Sequence, residues 1–157
     1  MKFTRERYLI WDESKNREDY FPYEGLYWNH IEAYRPWEHP ETHINHLFNE
    51  WRKSREKGIE QVSARNNNTQ TREFITYALS LLFSAIFWMN SCPVKLSFWQ
   101  EELNNMKIQA MNAEERINFI LSRPSGYHSF IQLAELFTEY EKLYYKALAL
   151  QKLKKRV

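Results

Sequence analysis

Residues Phe74 to Val94 read FITYALSLLFSAIFWMNSCPV, a stretch without one formal charge in a 157-residue chain that is 27% charged. Placed at about 100° per residue, Phe74, Ile75, Tyr77, Ala78, Leu79, Leu81, Leu82, Ala85, Ile86, Trp88 and Met89 cover roughly two thirds of a helical circumference. Thr76, Ser80, Ser84 and Ser91 fill the narrow remainder. A helix apolar nearly all round lies inside a bundle or inside a bilayer, so the fold turns on which of the two surrounds this one.

From Phe74 to Cys92, where Pro93 stops it, the helix would be about 28 Å long, just enough to cross a hydrocarbon core of about 30 Å. Lipid is disfavoured by Thr76, Ser80, Ser84, Asn90 and Ser91 within the run. A mean hydropathy of −0.72 for the whole chain points the same way. Amphipathic segments on both sides can also supply the cover. The expectation is an all-α fold, an irregular bundle of about five or six helices around a buried central helix over 74–92, with no membrane partner. The Thr76, Ser80, Ser84 stripe is then a close-approach seam or a thin solvent-facing edge.

Working outward toward the C-terminus, Ser97 is a candidate cap for a short helix carrying Leu96, Phe98, Trp99 and Leu103. Met106, Ile108 and Met111 fall in a looser connector. The sequence Asn112-Ala-Glu-Glu115 resembles a capping box and starts a helix that buries Ile117, Phe119, Ile120 and Leu121 before Pro124. From Ser125 or Ser129 a long helix follows, with Phe130, Leu133, Leu136, Phe137, Tyr140, Leu143, Tyr144, Ala147 and Leu150 in a 3-4 alternation. It is the natural partner of the central helix. Toward the N-terminus, Pro40 to Lys57 predicts a helix with Ile44, Leu47, Phe48 and Trp51 on one face and Gly58 as its stop. Ile59 to Arg65 adds a short helical piece, and Asn66, Asn67 and Asn68 form a loop offering an N-cap. Residues 1–36 are dense in rings (Phe3, Tyr8, Trp11, Tyr20, Phe21, Tyr23, Tyr27, Trp28 and Tyr34), with Ile31 and Tyr34 expected on a short helix ended by Pro36. Such an arm packs on the bundle, or alternatively docks a partner through Trp and Tyr anchors.

One domain spanning 1–157 is the expectation at this length. Three glycines and five prolines are too few for a meander of hairpins. A single cysteine leaves no intramolecular disulfide, and MKFTRER has no apolar leader core, so a cytoplasmic location is expected. The 22 basic and 20 acidic residues are largely interspersed. Only Lys152, Lys154, Lys155 and Arg156 cluster, which complements the negative end of a helix and, as an alternative, fits nucleic-acid association.

Among chemistry-bearing patterns, His39, His43, His46 and Glu50 stand at spacings of four, three and four. On one helical stripe they would form a usable zinc or iron set, the basis of an alternative reading as a metal-dependent hydrolase. The stripe lies away from the apolar face of the same helix, and His39 precedes Pro40. Cys92 sits where a helix ends, and the negative end of the dipole disfavours its thiolate. His128, at the start of the long helix, could line a small polar binding pocket with Arg123 and Tyr127. No phosphate loop, nucleophile elbow or paired-cysteine motif occurs, so no cofactor and no catalytic residue is expected.

Arg123-Pro124, Tyr127-His128-Ser129-Phe130 and Gln132-Leu133-x-Glu135-Leu136-Phe137, with Pro36-Trp37-Glu38 ahead of Leu47-Phe48 and Trp51, resemble the YpoC-like family of small proteins from the Bacillus group. That family is uncharacterised; the resemblance covers roughly the last 120 residues and implies a cytosolic helical protein of a Gram-positive bacterium, with no catalytic residues to carry over. The functional expectation is a non-enzymatic protein-interaction module with a protein partner.

Overall fold

The computed structural model describes residues 20–64 and 68–156. Six α-helices and one 3₁₀ turn, with no strand among the described residues, make an all-α bundle. They are α1 (Pro22–Trp28), the 3₁₀ turn Pro36–Glu38, α2 (Pro40–Ala64), α3 (Asn68–Met89), α4 (Trp99–Asn104), α5 (Ala113–Ser122) and α6 (Tyr127–Lys155). Phe3, Tyr8, Trp11 and the Asn66-Asn67 loop lie outside the described residues.

The framework is α2, α3 and α6. Trp51 stacks on Phe137 at a centroid distance of 4.3 Å, and Phe74 lies 6.0 Å from Phe130. Pairings of Asn45 with Tyr145 and of Arg52 with Glu141 run α6 antiparallel to α2. Since His43 meets Trp88 while Trp51 meets Phe74, α3 is also antiparallel to α2, and therefore parallel to α6. α5 packs on α6, and α4 on α5.

The central helix is buried, as its uncharged run requires. By length and composition α3 could cross a membrane, yet 72% of its apolar window is enclosed by the protein. Thr76, Ser80 and Ser84 are all buried, so their stripe is a seam and not an edge. Their small side chains allow close approach, and two hydroxyls satisfy themselves within the helix: Thr76 donates to the Arg72 carbonyl at 2.6 Å and Ser80 to that of Tyr77 at 2.5 Å. Solvent instead meets Glu73 and Tyr77, which follow one another at helical spacing.

The ends of this helix differ from the expected 74–92. It starts at Asn68, because the polar Asn68, Thr69, Gln70, Arg72 and Glu73 of its first two turns can face solvent while most of the rest is buried. It stops at Met89 because Ser91 turns left-handed, at φ 63°. The Ser91 N–H then donates to the Trp88 carbonyl and the Cys92 N–H to that of Phe87, the two bonds of a Schellman cap. α1 ends the same way, with His30 at φ 60° and bonds from His30 to Tyr27 and from Ile31 to Leu26. Both caps use a residue with a Cβ where glycine is favoured. Ser91→Gly is therefore expected to raise stability by about 0.5–1 kcal/mol. A higher denaturant midpoint at unchanged slope checks this; a lower one contradicts it.

Three further boundaries differ from the sequence reading. Gly58 does not end α2, which continues to Ala64, because the missing Cβ serves a close contact with Phe74. Ile31 and Tyr34 lie in the connector after the α1 cap, and Pro36 opens a turn where it was expected to close a helix. Asn112 and Phe98 precede α5 and α4 in left-handed conformation without a side-chain cap, so neither the Asn112 capping box nor the Ser97 cap forms. Phe119 is exposed, whereas Ile117 and Ile120 are buried as their spacing requires.

Candidate binding surfaces

Two members of the histidine stripe, His39 and His43, are taken up by rings. His39 is not helical; its carbonyl accepts the Thr42 N–H, and it caps α2 from outside. Tyr34 stacks over His39 at 5.5 Å, and its hydroxyl shares a 2.7 Å hydrogen bond with His43 Nε2. His43 also meets the Trp88 ring edge-on at 6.0 Å. Burial first, then His39 and His46, hold its imidazole below the usual histidine range. His46 is exposed and Glu50 pairs with Lys53 at 3.7 Å. No group of three or more His, Cys, Asp or Glu side chains among the described residues is arranged to hold a metal ion.

Of the expected polar pocket, Tyr127 and His128 come together and Arg123 stays apart. Their rings are 5.8 Å apart at the start of α6, lining a small cavity with Val62, Asn68, Thr71 and Ser125. Arg123 is exposed at the end of α5. It contributes its backbone: the carbonyl accepts from Ser129 Oγ at 2.6 Å and from the Gly126 N–H at 3.1 Å, fixing the turn into α6. Cys92 is half-buried, donates to the Phe87 carbonyl at 3.4 Å, and has its thiol pushed up to about 11, by burial and then by Glu102 and Glu24. A thiol so disposed is not a nucleophile at neutral pH.

Two features were not legible as sites from the sequence. The first is the far end of α6. Its core-facing stripe is buried through Tyr144; past that point Leu150, to one side of the stripe, is 51% exposed, and Leu153, on the face opposite Tyr144, is 57% exposed. Beside the stripe runs a half-open groove of about 560 Å³, floored by Met89, Ile108, Leu143, Ala147 and Leu150. Lys107, Lys146 and Lys154 line it against a single carboxylate, Glu41. The basic residues Lys152, Lys155 and Arg156 extend the same charge beyond it, all exposed.

The second is Glu24 in α1, only 3% exposed. Its Oε2 accepts the Trp88 indole N–H at 2.6 Å and the Val94 backbone N–H at 3.0 Å. Oε1 is buried with no hydrogen-bond partner. Burial raises its pKa, against the lowering effect of those two donors. Trp28 donates from its indole to the Val94 carbonyl at 3.2 Å, so the segment after Pro93 holds α1 from both sides. Around these contacts Phe21 and Trp37 are buried, while Tyr27 sits 5.1 Å from Trp37.

A family profile described as YpoC-like protein matches residues 41–152, from the first turn of α2 into the last turns of α6. Uncharacterized protein YpoC of Bacillus subtilis (strain 168) is 33% identical over 118 residues, which cover 74% of this chain and 71% of that protein. No solved structure matches the chain.

Proposed function

The chain belongs to the YpoC-like family, and on that premise we propose that it is a cytoplasmic, non-enzymatic interaction module that docks an acidic amphipathic helix of another protein on the far end of α6. One observation carries this reading: the exposed Leu150 edges an apolar groove, floored by Met89, Ile108, Leu143 and Ala147, that has a lysine rim. A helix seated there would bury leucines against Leu143, Ala147 and Leu150 and set carboxylates against Lys107, Lys146 and Lys154. Self-association along this groove is disfavoured, since it would bring Lys152, Lys154, Lys155 and Arg156 of two copies together. The charge pattern speeds encounter and selects the sign of the partner, and the apolar floor supplies affinity. A cytoplasmic site is favoured by the single cysteine and by the enclosure of α3. A hydrolase reading has less support, because His39 and His43 are engaged by Tyr34, and His43 by Trp88 as well.

The test places a photoreactive benzoylphenylalanine at Leu150 in cells and sequences the crosslinked peptide. An adduct to an acidic amphipathic segment of a different protein is the expected result. Adducts to a second copy, to nucleic acid, or no adduct would each overturn the reading. Because both leucines are exposed, Leu150→Asp and Leu153→Asp are expected to change stability by less than about 0.5 kcal/mol. Leu150→Asp in cells should abolish co-purification of the partner identified by that crosslink, whereas Leu153→Asp, on the opposite face of α6, should not.

A further inference from the structure

We propose that the partner helix runs on beyond the lysine-rimmed groove, across the 109–112 segment, and takes Met111 as its second anchor. That extent rests on the docking of an acidic helix at the far end of α6, and it fixes how much of the partner is recognised: an amphipathic stretch of about four turns with two apolar contact points.

The groove does not end at Leu143. Leu143 and Gln109 also line a second, more open hollow of about 580 Å³, completed by Ala110, Met111, Asn112, Glu139 and Lys142. The two hollows make one track along α6 from Glu139 to Lys154, a length of about 22 Å at about 1.5 Å per residue. Met111 is 81% exposed, the most exposed large apolar side chain among the described residues. The backbone beneath holds it there. Asn90 bonds the Ile108 N–H and carbonyl at 2.8 Å and 3.0 Å, and Arg116 donates to the Met111 carbonyl at 3.2 Å. An irregular segment is thus pinned on either side of its exposed side chain. An anchor already in place loses little freedom on binding, and an unbranched thioether adapts to the shape it meets.

Charge selects the same occupant along the whole track. Lys142 joins Lys107, Lys146 and Lys154; all four are exposed, and none is ion-paired among the described residues. Of the two carboxylates that line the track, Glu139 is taken by Arg116, which leaves Glu41. An acidic helix therefore meets uncompensated lysines beside both anchors.

The experiment places benzoylphenylalanine at Met111, Leu150 or Leu153 of the whole protein in cells and sequences the crosslinked peptides. Met111 and Leu150 are expected to mark one acidic segment of a different protein, at positions about 7 to 11 residues apart, and Leu153 to mark none of it. Met111→Asp should lower the Leu150 adduct roughly tenfold, while Met111→Leu retains it; the side chain stands in solvent, so both variants keep the fold. A Leu150 adduct without a Met111 adduct on the same segment, or one unchanged by Met111→Asp, overturns the extended track and leaves the docking at Leu150 standing. A Leu153 adduct on that segment overturns the track as well. No Leu150 adduct, or adducts to a second copy or to nucleic acid, would overturn both.

Discussion

Gly58→Leu is expected to lower the unfolding free energy by about 3 kcal/mol, and even Gly58→Ala to lower it by about 1–2 kcal/mol. In an open helix the Ala substitution would go the other way, raising stability by about 1 kcal/mol. The sign is set by Phe74. A Cβ on Gly58 would stand 2.1 Å from Phe74 Cζ, 2.3 Å from Cε2 and 2.6 Å from Cε1, far inside contact distance. The ring has little room to swing aside, since Trp51 and Phe130 flank it with centroids at 6.3 Å and 6.0 Å. Removing the ring should therefore reverse the effect. In a Phe74→Ala background, Gly58→Ala is expected to stabilise, giving a double-mutant interaction of about 2 kcal/mol or more. Urea denaturation of the four proteins measures it, and additive changes would mean that α2 and α3 do not meet at this point.

That contact also marks where reading along one chain reaches its end. A glycine after a run of apolar spacings and basic residues has the local appearance of a helix stop, and only the position of Phe74 across the bundle makes it a helix-interior glycine. The uncharged run, by contrast, was sufficient to identify a buried helix, because neither water nor a charged neighbour is compatible with Leu79, Leu82, Phe83 and Ile86 all at 0% exposure. Its exact ends depended on a left-handed Ser91 that composition does not announce. Glu24 was invisible as a site, since its donors are 64 and 70 residues away. Nothing near it in sequence separates it from the solvated glutamates. For α6 the periodicity of the stripe was legible to Leu150, while its exposure was not, because exposure depends on where α2 and the 107–109 segment stop. His43 and His46 do share a helix, as their spacing of three requires, but the decisive neighbour was Tyr34 from another segment.

Trp88→Phe should cost about 3 kcal/mol at pH 8 and about half as much at pH 5. The phenyl ring leaves a void, and the Glu24 carboxylate loses the indole donor now at 2.6 Å. The difference between the two pH values comes from Glu24. Burial raises its native pKa above the ordinary value of 4.5, and the Trp88 hydrogen bond is the first of the effects opposing that rise. In the interval from that value up to the raised one, the native state binds more protons than the unfolded state. Stability therefore falls as pH rises through the interval and is level above it. Without the indole donor the native pKa climbs further, the interval widens upward, and the variant loses more at pH 8 than at pH 5. Cys92, pushed up to about 11, takes no part in this range, and Lys95 is paired with Glu102. His43 does titrate nearby, across the other edge of the Trp88 ring. Repeating the substitution in a Glu24→Gln background separates the two groups. There the cost of Trp88→Phe should be the same at both pH values, and a surviving difference would assign the effect to His43.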